Sequence, residues 1–311
     1  MSTTLTNTSK LREYVEELKR LNVEVVRPSI NKCFSEFKAE TNKIFYGLGA
    51  IKSVGFEAIS NIINEREKNG KFKSIIDFIN RVNPKDVNKL QLEGLVKAGA
   101  FDEIESNRKK LIESIPKIIS TIKSKYDEKI SNQNNLFNVD NNEENENFEF
   151  GSSEEWSSKE LLSEEFKSLG FYISDHPLNE YKEFFTQLEI ESYKDFINSD
   201  KSESLVAGTI MSIQEKKSAK GTSFAIVKFS DNNSEFEIFL FSDILNLNRE
   251  KLKESNSFIL TLQKERSNLQ NTQRRINIKK LVDLSDLVNK TYESVLIELS
   301  DKKMLKELNE L

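Results

Sequence analysis

Gln133, Leu136 and Phe137 form a Gln-x-x-Leu-Phe peptide in a stretch that holds little else apolar. One amide for oriented hydrogen bonds, followed by an aliphatic and an aromatic side chain, suits adjacent apolar pockets on a partner protein. From Asp127 to Glu160 the chain is dominated by Asn, Glu and Ser. Such a composition cannot bury enough apolar surface to offset the entropy of ordering it. This stretch is expected to be an unstructured tether, so the Leu-Phe pair has no nearby core to join. A chance match of three fixed positions is the plainer alternative.

Two further sets of residues suit polyanions. Lys52, Ser53, Val54 and Gly55 precede a segment in which Ala58, Ile59, Ile62 and Ile63 share one helical face. This is the spacing of a helix-hairpin-helix, whose tight turn presents backbone N–H groups at a helix N-terminus to a duplex DNA phosphate. Gly55 is expected to supply the left-handed or close-approach geometry of the turn, and Ser53 stands where many such hairpins have Gly. Asn88 to Ala98 makes the partner helix, closed by Gly99 in a left-handed C′ position. On spacing alone, glycines that serve only as caps explain the pattern equally well. The other set is Lys216, Lys217, Lys220, Phe224, Arg274 and Arg275, cations for phosphates and a ring for a base, as a single-strand groove requires. An aromatic at a strand position of a small barrel is more often core. Phe229, Phe236, Phe239 and Phe241 cannot all stack on bases, and most must be packed inside.

The elements that position these residues change along the chain. Leu11 to Leu21 has a helical apolar period, and Val23 to Pro28 is extended. Further on, Leu205–Ile213, Phe224–Phe229, Phe236–Phe241, Phe258–Leu262 and Arg275–Leu281 read as strands. A helix is expected from Ser242, as N-cap, to Glu254. Three strands, a helix and two strands is the order of an oligonucleotide-binding barrel. Charge is segregated along the same lines: residues 43–125 carry a net +6, residues 139–165 a net −9 and residues 205–280 a net +5. That pattern fits two polyanion-binding modules on an acidic tether, or ordinary lysine-rich surface.

Composition narrows the chemistry. One Cys and one His leave no disulfide framework and no Cys- or His-based metal site. His176 sits in Ser-Asp-His-Pro-Leu, where Asp175 can cap and Pro177 can start a helix, so a structural turn is expected. No Walker-type phosphate loop, signal peptide or apolar run long enough for a membrane span occurs.

Val23 to Asn31, then Tyr46-Gly-Leu-Gly-Ala-Ile-Lys-Ser-Val-Gly55, Leu95-Val-Lys-Ala-Gly-Ala-Phe-Asp102 and Leu169-Gly-Phe-Tyr-Ile-Ser-Asp-His-Pro-Leu178 resemble the α subunit of bacterial DNA polymerase III, in the region after its catalytic domains. Asp175 departs from the family, where a small residue is more usual. The resemblance implies a multidomain α + β chain with a helix-hairpin-helix domain, a disordered acidic linker and a C-terminal OB-fold barrel. It divides the chain into the end of the fingers region (1–42), the hairpin domain (43–126), the linker (127–160), a helical connector (161–200), the barrel (201–282) and the start of a truncated last domain (283–311). It also implies that Gln133, Leu136 and Phe137 bind the sliding clamp. Duplex and single-stranded DNA and other replicase subunits are the further partners, in the cytoplasm and without a membrane. The polymerase carboxylates and their Mg²⁺ belong to family domains N-terminal to this sequence, so no cofactor, metal site or catalytic residue is expected here. The alternative is a stand-alone clamp-associated adaptor for single-stranded DNA.

Overall fold

The computed structural model describes residues 8–134, 150–219, 221–265 and 276–288. They divide into two compact units, one of residues up to Lys182 together with Asp231–Asn233, the other of the remaining residues from Glu183 onward.

In the first unit, helix α1 (Thr8–Arg20) turns its Leu11 and Val15 inward, one helical turn apart. Strands β1 (Glu24–Val26), β2 (Lys38–Glu40) and β3 (Lys43–Phe45) form a small sheet in the order β1-β3-β2. β1 pairs with β3 in parallel and β2 with β3 antiparallel. The boundary expected between residues 42 and 43 therefore cuts a sheet. Three-residue strands are too short to stand alone, and Leu11, Val15 and Ile30 share one apolar cluster with Ile59, Leu95 and Phe101.

Four helices complete this core: α2 (Phe56–Asn69), α3 (Ile75–Arg81), α4 (Lys89–Lys97) and α5 (Arg108–Asn134). Ser74 and Asn88 cap α3 and α4 through their side chains, as residues at helix starts do. Gly99 follows α4 with φ +78°, the left-handed position expected of it. Helix α5 has 27 residues, about 40 Å at 1.5 Å per residue. It buries Leu111, Ile115, Ile118 and Ile122 along one stripe.

Helical structure reaches into the stretch whose composition implies a tether. α5 runs on through Asn134, because adding residues to an existing helix costs far less than starting one. The ammonium groups of Lys125 and Lys129 also tie its far end to the Asn80 side chain and carbonyl, at 2.8 and 2.6 Å. On the other side, the Glu155 carboxylate accepts the Arg108 and Lys109 amides, and Asn107 donates to the Ser153 carbonyl. Helix α6 (Ser158–Leu169) then starts with a capping box between Ser157 and Glu160. Residues 135–149 lie outside the described residues.

The expected connector 161–200 is not one piece. Leu169, Phe171 and Ile173 belong to the core of the first unit, whereas Phe196 belongs to that of the second. His176 accepts the Leu178 amide through Nδ1, and Pro177 opens a short 3₁₀ turn. That is the structural role expected of the histidine.

In the second unit, α7 (Lys182–Gln187) and α8 (Tyr193–Asn198) lead into five antiparallel strands: β4 (Glu203–Lys217), β5 (Ser223–Ser230), β6 (Glu235–Leu240), β7 (Ser257–Lys264) and β8 (Ile276–Asp283). Their order is β6-β5-β4-β7-β8, and β8 returns beside β6, the closure of an OB-like barrel. α9 (Ser242–Asn248) lies between β6 and β7, and α10 (Leu284–Val288) follows β8. Ser242 is not the cap of α9. Phe241 is still extended, and the Ser242 hydroxyl donates to Asp243 within the helix. The buried Lys264 ammonium closes the C-terminus of α8 by donating to the Phe196 and Ser199 carbonyls.

Candidate nucleic-acid interfaces

The first hairpin runs from a 3₁₀ turn at Leu48–Ala50 into α2. Ile51 and Val54 are buried and anchor the turn, leaving Lys52, Ser53 and Gly55 exposed. The Lys52 amide donates to the Ser168 carbonyl at 3.0 Å, and the Ser168 hydroxyl donates to the Gly94 carbonyl at 2.8 Å. Helices α4 and α6 thus hold the turn from behind. The amides of Gly55, Phe56 and Glu57 at the mouth of α2 have no acceptor among the described residues. Together with the positive end of the helix they are donors suited to an anion. The exposed Glu57 carboxylate in the first turn of α2 opposes an anion there.

The geometric demands of this turn fall elsewhere than expected. Gly55 has φ −72°, and a Cβ added to it would meet only the Ala58 Cβ, at 3.9 Å. The left-handed residue is Ser53, at φ +66°. The close approach is made by Gly94, where a Cβ would sit 2.6 Å from the Lys52 carbonyl oxygen. Sequence spacing locates the hairpin, but the glycine that the Lys52 carbonyl requires is on the opposing helix.

The second hairpin, α4 to α5, is closed by side chains. Arg108 grips Asp102 with two donors, at 2.9 and 2.6 Å, and donates to the Lys97 carbonyl at 3.1 Å. With the first amides of α5 already taken by Glu155, this turn offers an anion less than the first does.

In the barrel, the β4–β5 hairpin carries the expected lysines. Lys216 pairs with Phe224 and Lys217 with Ser223, and both lysines are exposed. The neighbouring acid, Glu215, is engaged by Arg249 at 2.7 Å. Lys220, Arg274 and Arg275 lie outside the described residues. Phe229 and Phe236 are buried, as expected of most of the phenylalanines, but Phe239 is 48% and Phe241 60% exposed. Phe224 is half-buried and turned to the same outer face, its ring 6.3 Å from that of Phe239. The alternation in Phe236-Glu-Ile-Phe-Leu-Phe241 carried this signal, because a period of two puts 239 and 241 on the side of Glu237. Of the clamp-type peptide, Gln133 falls in the last turn of α5, whereas Leu136 and Phe137 lie outside the described residues.

Residues 22–111 match a family model described as a helix-hairpin-helix motif. The chain is 34% identical over 261 residues to the DNA polymerase III subunit alpha of Borreliella burgdorferi, which covers 81% of the chain and 22% of that protein. It is 30% identical to the Caulobacter vibrioides subunit, with the same two coverages. With the subunit of Buchnera aphidicola from Acyrthosiphon pisum it shares 30% identity over 309 residues, 97% of the chain and 26% of that protein. The chain thus spans about a quarter of the length of the curated relatives it matches. Its hairpin unit and OB-like barrel are consistent with a C-terminal region of such a subunit, and the chain belongs to the family of bacterial DNA polymerase III alpha subunits.

Proposed function

We propose that this chain is the DNA- and clamp-holding part of a replicative polymerase acting in chromosomal replication in the cytoplasm. The hairpin turn at 52–55 holds duplex DNA by its backbone, the barrel holds single strands, and Gln133, Leu136 and Phe137 dock on the sliding clamp. Nucleotide transfer is assigned to parts of the polymerase outside this chain. The observation that carries the reading is the relationship to alpha subunits over most of the chain, with a hairpin motif matched at residues 22–111. The unpartnered amides of Gly55 and Phe56 and the exposed Lys216 and Lys217 support it. Among the described residues no helix is long and apolar enough to cross a membrane.

Direct binding tests the proposal. The full chain, immobilised, should retain both the sliding clamp of the same organism and oligo(dT), and salt should weaken the second interaction. A folded chain that retained neither would overturn the reading.

A further inference from the structure

Away from both interfaces, the first unit holds a polar cavity of about 340 Å³ between the end of β1, the C-terminus of α4 and α6. That is near the lower end of the volumes that take small organic ligands, roughly 300–1,000 Å³. Most of the charges on its wall are matched. Glu24 pairs with Lys43 at 2.9 Å, Lys32 with Glu103 at 2.5 Å, and Asp102 holds Arg108. Two charges are not. Glu165, only 1% exposed, accepts the Ile173 and Ser174 amides through Oε1, and its Oε2 has no partner among the described residues. Arg27 is exposed, and its guanidinium has no partner among the described residues either. A buried carboxylate oxygen is costly without a donor, so the inner wall suits an N–H group and the rim an anion. Val26, Pro28 and Ala98 add apolar wall, which suits the face of a ring.

We propose that this cavity binds a free nucleoside monophosphate whose base carries an amino group, the base edge donating to Glu165 and the phosphate meeting Arg27. An ionised carboxylate only accepts hydrogen bonds. The amino groups of guanine, adenine and cytosine can donate to it, whereas uracil sets a carbonyl oxygen on each side of its single ring N–H. Guanine fits best, because its ring N–H stands beside its amino group and both are donors. An α-amino acid carries its ammonium and carboxylate on one carbon. It suits two charges side by side, and not one buried at the inner wall and one exposed at the rim. A nucleotide separates its donor from its anion by a ring and a sugar. The site uses none of the residues assigned to DNA or to the clamp, so it stands or falls independently of the DNA-holding reading.

The test titrates the full chain with GMP, UMP and guanosine by isothermal calorimetry. GMP should bind at least about tenfold more tightly than UMP, since a site built around a hydrogen bond rejects the analogue that cannot make it. Glu165→Gln keeps a carbonyl oxygen for the Ile173 and Ser174 amides but turns an amino group to the cavity. It should weaken GMP at least about tenfold, with a thermal melt confirming the fold. Arg27→Ala leaves the fold intact, because that side chain holds nothing among the described residues. It should lower the affinity for GMP to that for guanosine and leave guanosine binding unchanged. Equal binding of GMP and UMP would overturn the proposal, as would a wild-type chain that bound no nucleotide at millimolar concentration. Unchanged GMP binding by a folded Glu165→Gln variant would overturn it too. If that variant does not fold, Arg27→Ala decides, and an unchanged GMP affinity there overturns the site.

Discussion

Gly94→Val is expected to destabilise the hairpin unit by about 3 kcal/mol or more, the upper range for forcing extra atoms into a packed site. The new side chain would start 2.6 Å from the Lys52 carbonyl oxygen, which belongs to backbone and cannot swing away. It would also press on Ile51 and Val54, whose methyl groups already lie 3.5 Å from the added Cβ, and these two anchor the turn. Separating α4 from the turn would strain the bond from Ser168 to the Gly94 carbonyl. Thermal melts followed by Trp156, the sole tryptophan and a residue of this unit, should show the loss. The matching change Gly55→Val should shift stability by no more than about 1 kcal/mol, the scale of a cap substitution, because its Cβ meets only the Ala58 Cβ, at an ordinary contact distance. Equal melting of the two variants would contradict the assignment of the close approach to Gly94.

The second large effect concerns the clamp. Leu136→Ala with Phe137→Ala removes two apolar anchors, each worth about 1.5–3 kcal/mol when fully buried in a partner. Affinity for the cognate sliding clamp, measured by surface plasmon resonance, should fall at least about tenfold. The melting temperature should not move, since the Asn-, Glu- and Ser-rich composition around the pair does not favour burial. Equal clamp binding by the double variant would mean that the peptide is a chance match.

Much of this fold was legible because its signals are local. Period-two alternation and turn residues gave the strand–helix–strand order of the barrel, and the apolar face of α2 with the residues before it located the hairpin. What was not legible depends on contacts between segments distant in sequence. Nothing around Gly94 says that its missing side chain makes room for the Lys52 carbonyl, so the glycine nearest the turn, Gly55, drew the expectation instead. The strand pairing across residue 42 was hidden for the same reason: the pairing of β1 with β3 joins Glu24 to Lys43. The helix at residues 127–134 was missed because composition ignores helix propagation and the lysines that fasten the end of α5 to Asn80. The outward turn of Phe239 and Phe241 was available from alternation alone. It was obscured by the general expectation that barrel aromatics are core.

The division of labour between hairpin and barrel is tested most directly by one titration series. The wild-type chain and a Lys216→Ala/Lys217→Ala/Lys220→Ala variant are titrated with single-stranded and duplex DNA over a range of salt. Every single-strand phosphate that the variant no longer neutralises lowers the log–log salt slope by about 0.7. The variant should therefore bind single strands more weakly, with a slope shallower by up to about 2, while its duplex affinity stays close to that of the wild type. Equal losses on duplex and single strand would contradict the account and reduce the lysines to a diffuse positive surface.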